Sequence, residues 1–120
     1  MLGWQQIEYK SVVSQPTSTA EVVLYTVPSK MKGRLLSLTV ANTSTTQTET
    51  VVVHLRKAGV TASAATQVVP LKTVATSTAE VTLIPANGIG LDSTDKVSVV
   101  MGAGARANVV VTFELACVNA

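Results

Sequence analysis

The chain has 120 residues, of which 47% are hydrophobic and 13% charged, and a net charge of +2. That length makes one ordinary domain with a real core and is too short for two, and the apolar share excludes general disorder. Charged residues reach only about half the usual share, and serine and threonine supply the polarity, so the surface resists association poorly and suits a packed assembly.

Residues 1–6 hold no basic region and no apolar run of signal length, and nowhere do eighteen apolar residues run together. The expectation is synthesis in a reducing cytoplasm, no membrane partner, and exit, if any, by a route such as cell lysis. Leu2, Trp4 and Ile7 make this first stretch apolar, and Trp4 is the only tryptophan. Terminal segments gain little from such residues unless something ties them down. Leu2, Trp4 and Ile7 are therefore the candidate interface, an anchor on a neighbouring subunit, where aromatics are enriched.

From there the chain reads as β-strand almost throughout. The alternation of apolar and polar side chains has the period of two that a half-buried strand requires. A first strand is expected near residues 6–13, followed by a Ser/Thr/Pro break at 14–20. A second runs over 21–27, stopped by Pro28, with both faces apolar. The third covers 34–41, with Leu36, Leu38 and Val40 on one face, and leads into a polar loop at 42–48. The fourth, 49–57, alternates Val51, Val53 and Leu55 with Val52, His54 and Arg56. A small-residue loop at 58–65 has room for one helical turn, weakened by Gly59, Val60 and Thr61. The fifth strand, 66–74, contains Pro70, which marks a sheet edge or a bulge. The sixth is 80–84, followed by a turn cluster at 85–90. The seventh is 96–101. Glycine-rich residues 102–106 turn the chain into the eighth and longest strand, 107–118, with Val109, Val111, Phe113, Leu115 and Cys117 on one face.

Eight short strands at roughly ten-residue spacing predict an all-β, single-domain antiparallel sandwich, and eight is the strand count of a jelly roll. Residues 1–20 form an N-terminal arm with the first strand, and residues 21–120 the sandwich. Leu36, Leu38, Val40, Val51, Val53, Leu55, Val109, Val111, Phe113 and Leu115 are expected inside.

Chemistry is sparse. Gly102-Ala103-Gly104-Ala105-Arg106-Ala107 matches a relaxed dinucleotide fingerprint, but the fingerprint needs a helix next. Asn108-Val109-Val110-Val111 is strand, so a glycine-rich hairpin turn is expected. His54, the only histidine, falls on the polar face of its strand, with no catalytic partner and too few companions for zinc. Cys117, the only cysteine, allows no internal disulfide and is expected to be a buried structural thiol. Asp92-Ser93-Thr94-Asp95 has oxygen ligands at a spacing that could touch calcium, yet lacks the full loop and reads as a turn. Lys30, Lys32 and Arg34 are the densest basic group. Without interleaved aromatics they read as a solvated strand end and not as a nucleic-acid patch. The expectation is no enzyme, no cofactor, no metal and no nucleic acid.

Tyr25-Thr26-Val27-Pro28 followed by Arg34-Leu35-Leu36-Ser37-Leu38-Thr39-Val40-Ala41-Asn42-Thr43-Ser44 resembles small structural proteins of tailed bacteriophages. Ile84-Pro85-Ala86-Asn87-Gly88-Ile89-Gly90-Leu91, then Asp95-Lys96-Val97-Ser98-Val99, is similar to their final turn and strand. The family carries a glycine at or near the position of Lys30, where this chain has Gly33 later. The resemblance, over about residues 25–118, implies a virion component: a capsid decoration or cement protein that bridges shell subunits, or a tail, neck or fibre-attachment protein. A host-surface glycan- or protein-binding sandwich is the alternative from another class. The implied partners are the major capsid protein or other virion proteins. Apolar surface beyond what one small domain buries points to a homo-oligomer, a trimer first and a dimer second.

Overall fold

The computed structural model describes residues 7–80 and 88–117. Nine strands follow in order: β1 (Ile7–Ser14), β2 (Val22–Thr26), β3 (Met31–Asn42), β4 (Glu49–Arg56), β5 (Gln67–Val74), β6 (Thr78–Glu80), β7 (Ile89–Leu91), β8 (Lys96–Met101) and β9 (Ala107–Cys117). Among the described residues the one helical segment is a single 3-10 turn at Ala64–Thr66, capped by the Ser63 side chain.

All strand pairs are antiparallel. The first sheet runs β1-β9-β3, with β6 and β7 both pairing along the far side of β3; the second runs β2-β8-β4-β5. The chain crosses between sheets at β1 to β2, β2 to β3 and β3 to β4. It crosses again at β5 to β6, and from β7 through β8 to β9. That winding is a jelly roll. β6 and β7 meet β3 at Val40–Asn42 and Gly33–Leu35 respectively, so together they fill the place of one strand. The expected sandwich of about eight strands is thus the observed architecture.

The core is built by alternation. On β9, Ala107, Val109, Val111, Phe113 and Leu115 are buried, while Asn108, Val110, Thr112, Glu114 and Ala116 are only half-buried. Leu38 and Val40 on β3, Val51 and Val53 on β4, and Val97, Val99 and Met101 on β8 complete the layer. Burial of valines and leucines at roughly 1.5–3 kcal/mol each is what opposes chain entropy here. The Tyr25 ring stacks on Phe113, centroids 4.8 Å apart.

Several expectations are corrected. Leu36 is half-buried and Leu35 takes the interior place, because a bulge between Leu35 and Ser37 shifts β3 against β9 and breaks the period of two. Leu55 faces inward but is only half-covered at its end of β4. Cys117 is exposed: it keeps the inward phase of β9, but the strand outruns the opposing sheet after Leu115. Ile89 and Gly90, expected in a turn, form β7 with Leu91. The strand expected at 80–84 begins as β6 at Thr78–Glu80, and residues 81–84 lie outside the described residues, as do 85–87 of the turn.

Candidate assembly interface

The four sheet edges differ sharply. β5 is an edge with three defects. Pro70 lacks a backbone N–H, Lys72 is exposed, and the β4–β5 register shifts twice, between Val51 and Val53 and between Val53 and His54. These are devices that stop a sheet from pairing onward. β2 is five residues long and bulged between Val23 and Tyr25. Among the described residues β6 and β7 are three residues each. β1 also carries an exposed lysine, Lys10, but has no proline, bulge or register shift. It holds eight residues in unshifted register with β9, from Ile7 opposite Ala116 to Ser14 opposite Val109. It contains neither proline nor glycine, and among the described residues no strand pairs along its other side.

β1 is also apolar on the face turned away from the sandwich. Ile7, Tyr9 and Val13 are 55%, 71% and 70% exposed. The register extends them into rows across the sheet: Val13–Val110–Thr39, Ser11–Thr112–Ser37, Tyr9–Glu114–Arg34 and Ile7–Ala116–Lys32. The last two rows border a shallow cleft of about 210 Å³ lined by Ile7, Lys32, Gly33, Arg34, Glu114 and Ala116. Gly33 is required at its floor, because a Cβ there would meet the Glu114 carbonyl oxygen at 2.5 Å. On the opposite face of β1, Lys10 Nζ stands 5.4 Å from the centre of the Tyr25 ring. Burial, and secondarily the Glu8 carboxylate, push the Tyr25 hydroxyl above its ordinary pKa.

The outer face of the second sheet is treated differently: chain connections cover it. His54, opposite Ser98, was expected to face solvent but is only 5% exposed. The 3-10 turn lies over it, and its Nδ1 sits 2.7 Å from Thr66 Oγ1. Ser98 donates to Glu21 Oε2, and Glu21 pairs with Arg56 Nη1 at 3.1 Å. His54, Ser98 and Glu21 are thus held in structural contacts, with Ser98 fully buried.

The remaining sequence candidates are structural too. Glu49, which sequence reasoning missed, is 2% exposed, and its carboxylate accepts the backbone N–H groups of Thr50, Ala103 and Gly104. The glycine-rich turn therefore does bind an anion, the chain's own. Gly104 needs its φ of +80° there, and a Cβ would strike the Ser18 backbone. In the 92–95 turn, buried Asp95 accepts the Asp92 N–H and Lys57 Nζ. The hydrogen bond from Lys57, then its charge, holds exposed Asp92 below the usual carboxylate range, and hydrogen bonds to Asp95 and Asp92 raise Lys57. Lys32 approaches Asp92 at 3.9 Å and Arg34 lies opposite Glu114, which disperses the basic group. Lys30 adopts φ +65°, the left-handed conformation that suits glycine. Asn42 ties the Asn-Thr-Ser loop down by donating to the Gln47 and Val74 carbonyls. Of the three candidate anchors, Ile7 lies in β1 and lines the cleft, whereas Leu2 and Trp4 lie outside the described residues.

The fold and these edges define a jelly-roll module whose β1 side is, among the described residues, open. No protein-family model and no curated protein matches the chain. Among solved structures it is similar to a protein of the Bacillus endospore appendages, which form a family of disulfide-linked pili. The TM-score is 0.51 at 16% identity, over 98% of this chain and 93% of that one. At that identity the likeness is one of fold.

Proposed function

We propose that this chain is a structural subunit that acts by assembly, and that its place is on a bacteriophage particle, as a capsid decoration protein bridging shell subunits. The observation that carries the reading is the β1 edge: full length, unbulged and apolar, on a molecule whose other edges are blunted. A strand edge of this kind recruits another chain by main-chain hydrogen bonds. The phage placement draws on the sequence resemblance over residues 25–118. A decoration protein that binds only the assembled shell stabilises it by its binding free energy, and many copies on one lattice add through avidity. No catalytic step is part of the proposal.

A fibre subunit is the second reading, favoured by the likeness to the pilus protein. Within these 120 residues the lone, exposed Cys117 can link copies only in pairs. A fibre of this chain would therefore rely on strand pairing for its continuity. Glycan binding calls for an aromatic platform, and among the described residues Tyr9 is the one strongly exposed ring.

The test is immunogold labelling of particles from the source culture with an antibody against this chain, together with rebinding of purified protein to particles stripped of it. The decoration reading expects label over heads and lower occupancy for Tyr9→Lys. Label confined to tails or to free fibres overturns the head placement, and particles that neither contain nor rebind the chain overturn the structural reading itself.

A further inference from the structure

We infer that the open edge of β1 is filled by β1 of a second copy, antiparallel about a twofold axis through Tyr9, with Glu8 of each chain opposite Lys10 of the other. The inference rests on the structural-subunit reading and supplies its partner. A twofold perpendicular to the sheet keeps each face on its own side, so the axis must pass through a residue of β1 and its mate. The charges then choose the register. An axis through Glu8 or through Lys10 sets like charges against each other, which is destabilising for directly opposed residues. An axis through Ser11 leaves Glu8 opposite Ser14 and Lys10 opposite Val12, with neither charge answered. An axis through Tyr9 alone among these produces two opposite-charge pairs.

The same axis suits the apolar face. It brings Tyr9 against Tyr9 of the other copy and Ile7 against Ser11, so exposed Ile7 and Tyr9 of both chains form one patch across the join. Lys10, already 5.4 Å from the Tyr25 ring centre, then lies within reach of the opposing Glu8. The first sheets of two molecules become a single continuous sheet, and both open edges are used up. The assembly closes at two copies, not three.

Sedimentation of the full chain as a function of concentration tests this. The wild type is expected to show a monomer–dimer equilibrium. Glu8→Lys or Lys10→Glu turns two attractive pairs into two repulsive ones and should each weaken the dimer about tenfold. The double swap Glu8→Lys/Lys10→Glu rebuilds the pairs and should return the dissociation constant to near wild type. A chain that stays monomeric, a trimer, a dimer indifferent to the single swaps, or a double swap as weak as the singles overturns the inference. A cross-link provides a second readout. In a Cys117→Ser background, Tyr9→Cys should oxidise to a covalent dimer, because directly opposed Cα atoms stand about 4.5–5.5 Å apart, within disulfide reach. Ser11→Cys should not, and the reverse pattern excludes the Tyr9 axis. Particle rebinding with the same proteins separates the two proposals. A monomer that still decorates particles ends this inference alone, while a dimer that decorates nothing ends only the functional reading.

Discussion

β1 and β5 are both eight-residue edge strands of one sandwich, yet they are built to opposite ends. β5 carries Pro70, exposed Lys72 and two register shifts; β1 carries an unbroken ladder and three strongly exposed apolar side chains. Exposed strand edges are aggregation hazards that soluble proteins manage explicitly. Proline and register shifts blunt β5 and are missing from β1, and the proposed assembly role rests on that difference.

The β1 ladder rests on the core beneath it. Phe113 sits opposite Lys10 on the neighbouring strand and under the Tyr25 ring, so β1 depends on it. Phe113→Ala should cost about 3–5 kcal/mol in denaturant unfolding. A loss below about 1 kcal/mol would mean that the core is not packed as described. Next, Tyr9→Lys or Val13→Lys replaces an exposed apolar side chain of β1 with a charge. Self-association should fall about tenfold while unfolding stability stays within about 0.5 kcal/mol, since both side chains are exposed. Unchanged association at unchanged stability would remove β1 from the interface. The converse change, Pro70→Val, restores a donor to β5 and should raise light scattering at high concentration without improving the specific dimer. Smaller again, Lys30→Gly relieves a left-handed lysine and should stabilise by roughly 0.5–1 kcal/mol, read as a raised thermal midpoint. The smallest effect is electrostatic. Asp92 has a lowered folded pKa, so its contribution is present above the unfolded carboxylate value and is lost as pH falls through the folded one. Lys57→Met should move the Asp92 carboxyl back up toward its ordinary value, as followed by NMR titration, and leave β1 association unaltered.

Much of the sandwich was legible because alternation survives wherever strands stay in register. Val109 through Leu115 on β9 and Val51 with Val53 on β4 lie inside as their phase requires. The misreadings fall where a period of two stops reporting burial. The Leu35–Ser37 bulge exchanges Leu36 for Leu35. His54 keeps its outward phase but is roofed by the turn in the loop that follows β4. Cys117 keeps its inward phase beyond the end of the cover. Glu49 was invisible because its partners, Ala103 and Gly104, lie more than fifty positions away. The candidate interface was half legible. Ile7 was singled out for its apolar setting, and Pro70 marked β5 as either an edge or a bulged strand. That β1 is also an edge, and the unprotected one, depends on strand order, which single-sequence patterning does not encode.

The most direct measurement is amide hydrogen–deuterium exchange of the full chain at low and high protein concentration, compared between β1 and β5. If β1 is the assembly edge, its amides gain protection as concentration rises while those of β5 do not change. Protection that appears at β5, or β1 amides that exchange equally fast at every concentration at which the protein associates, would contradict the account.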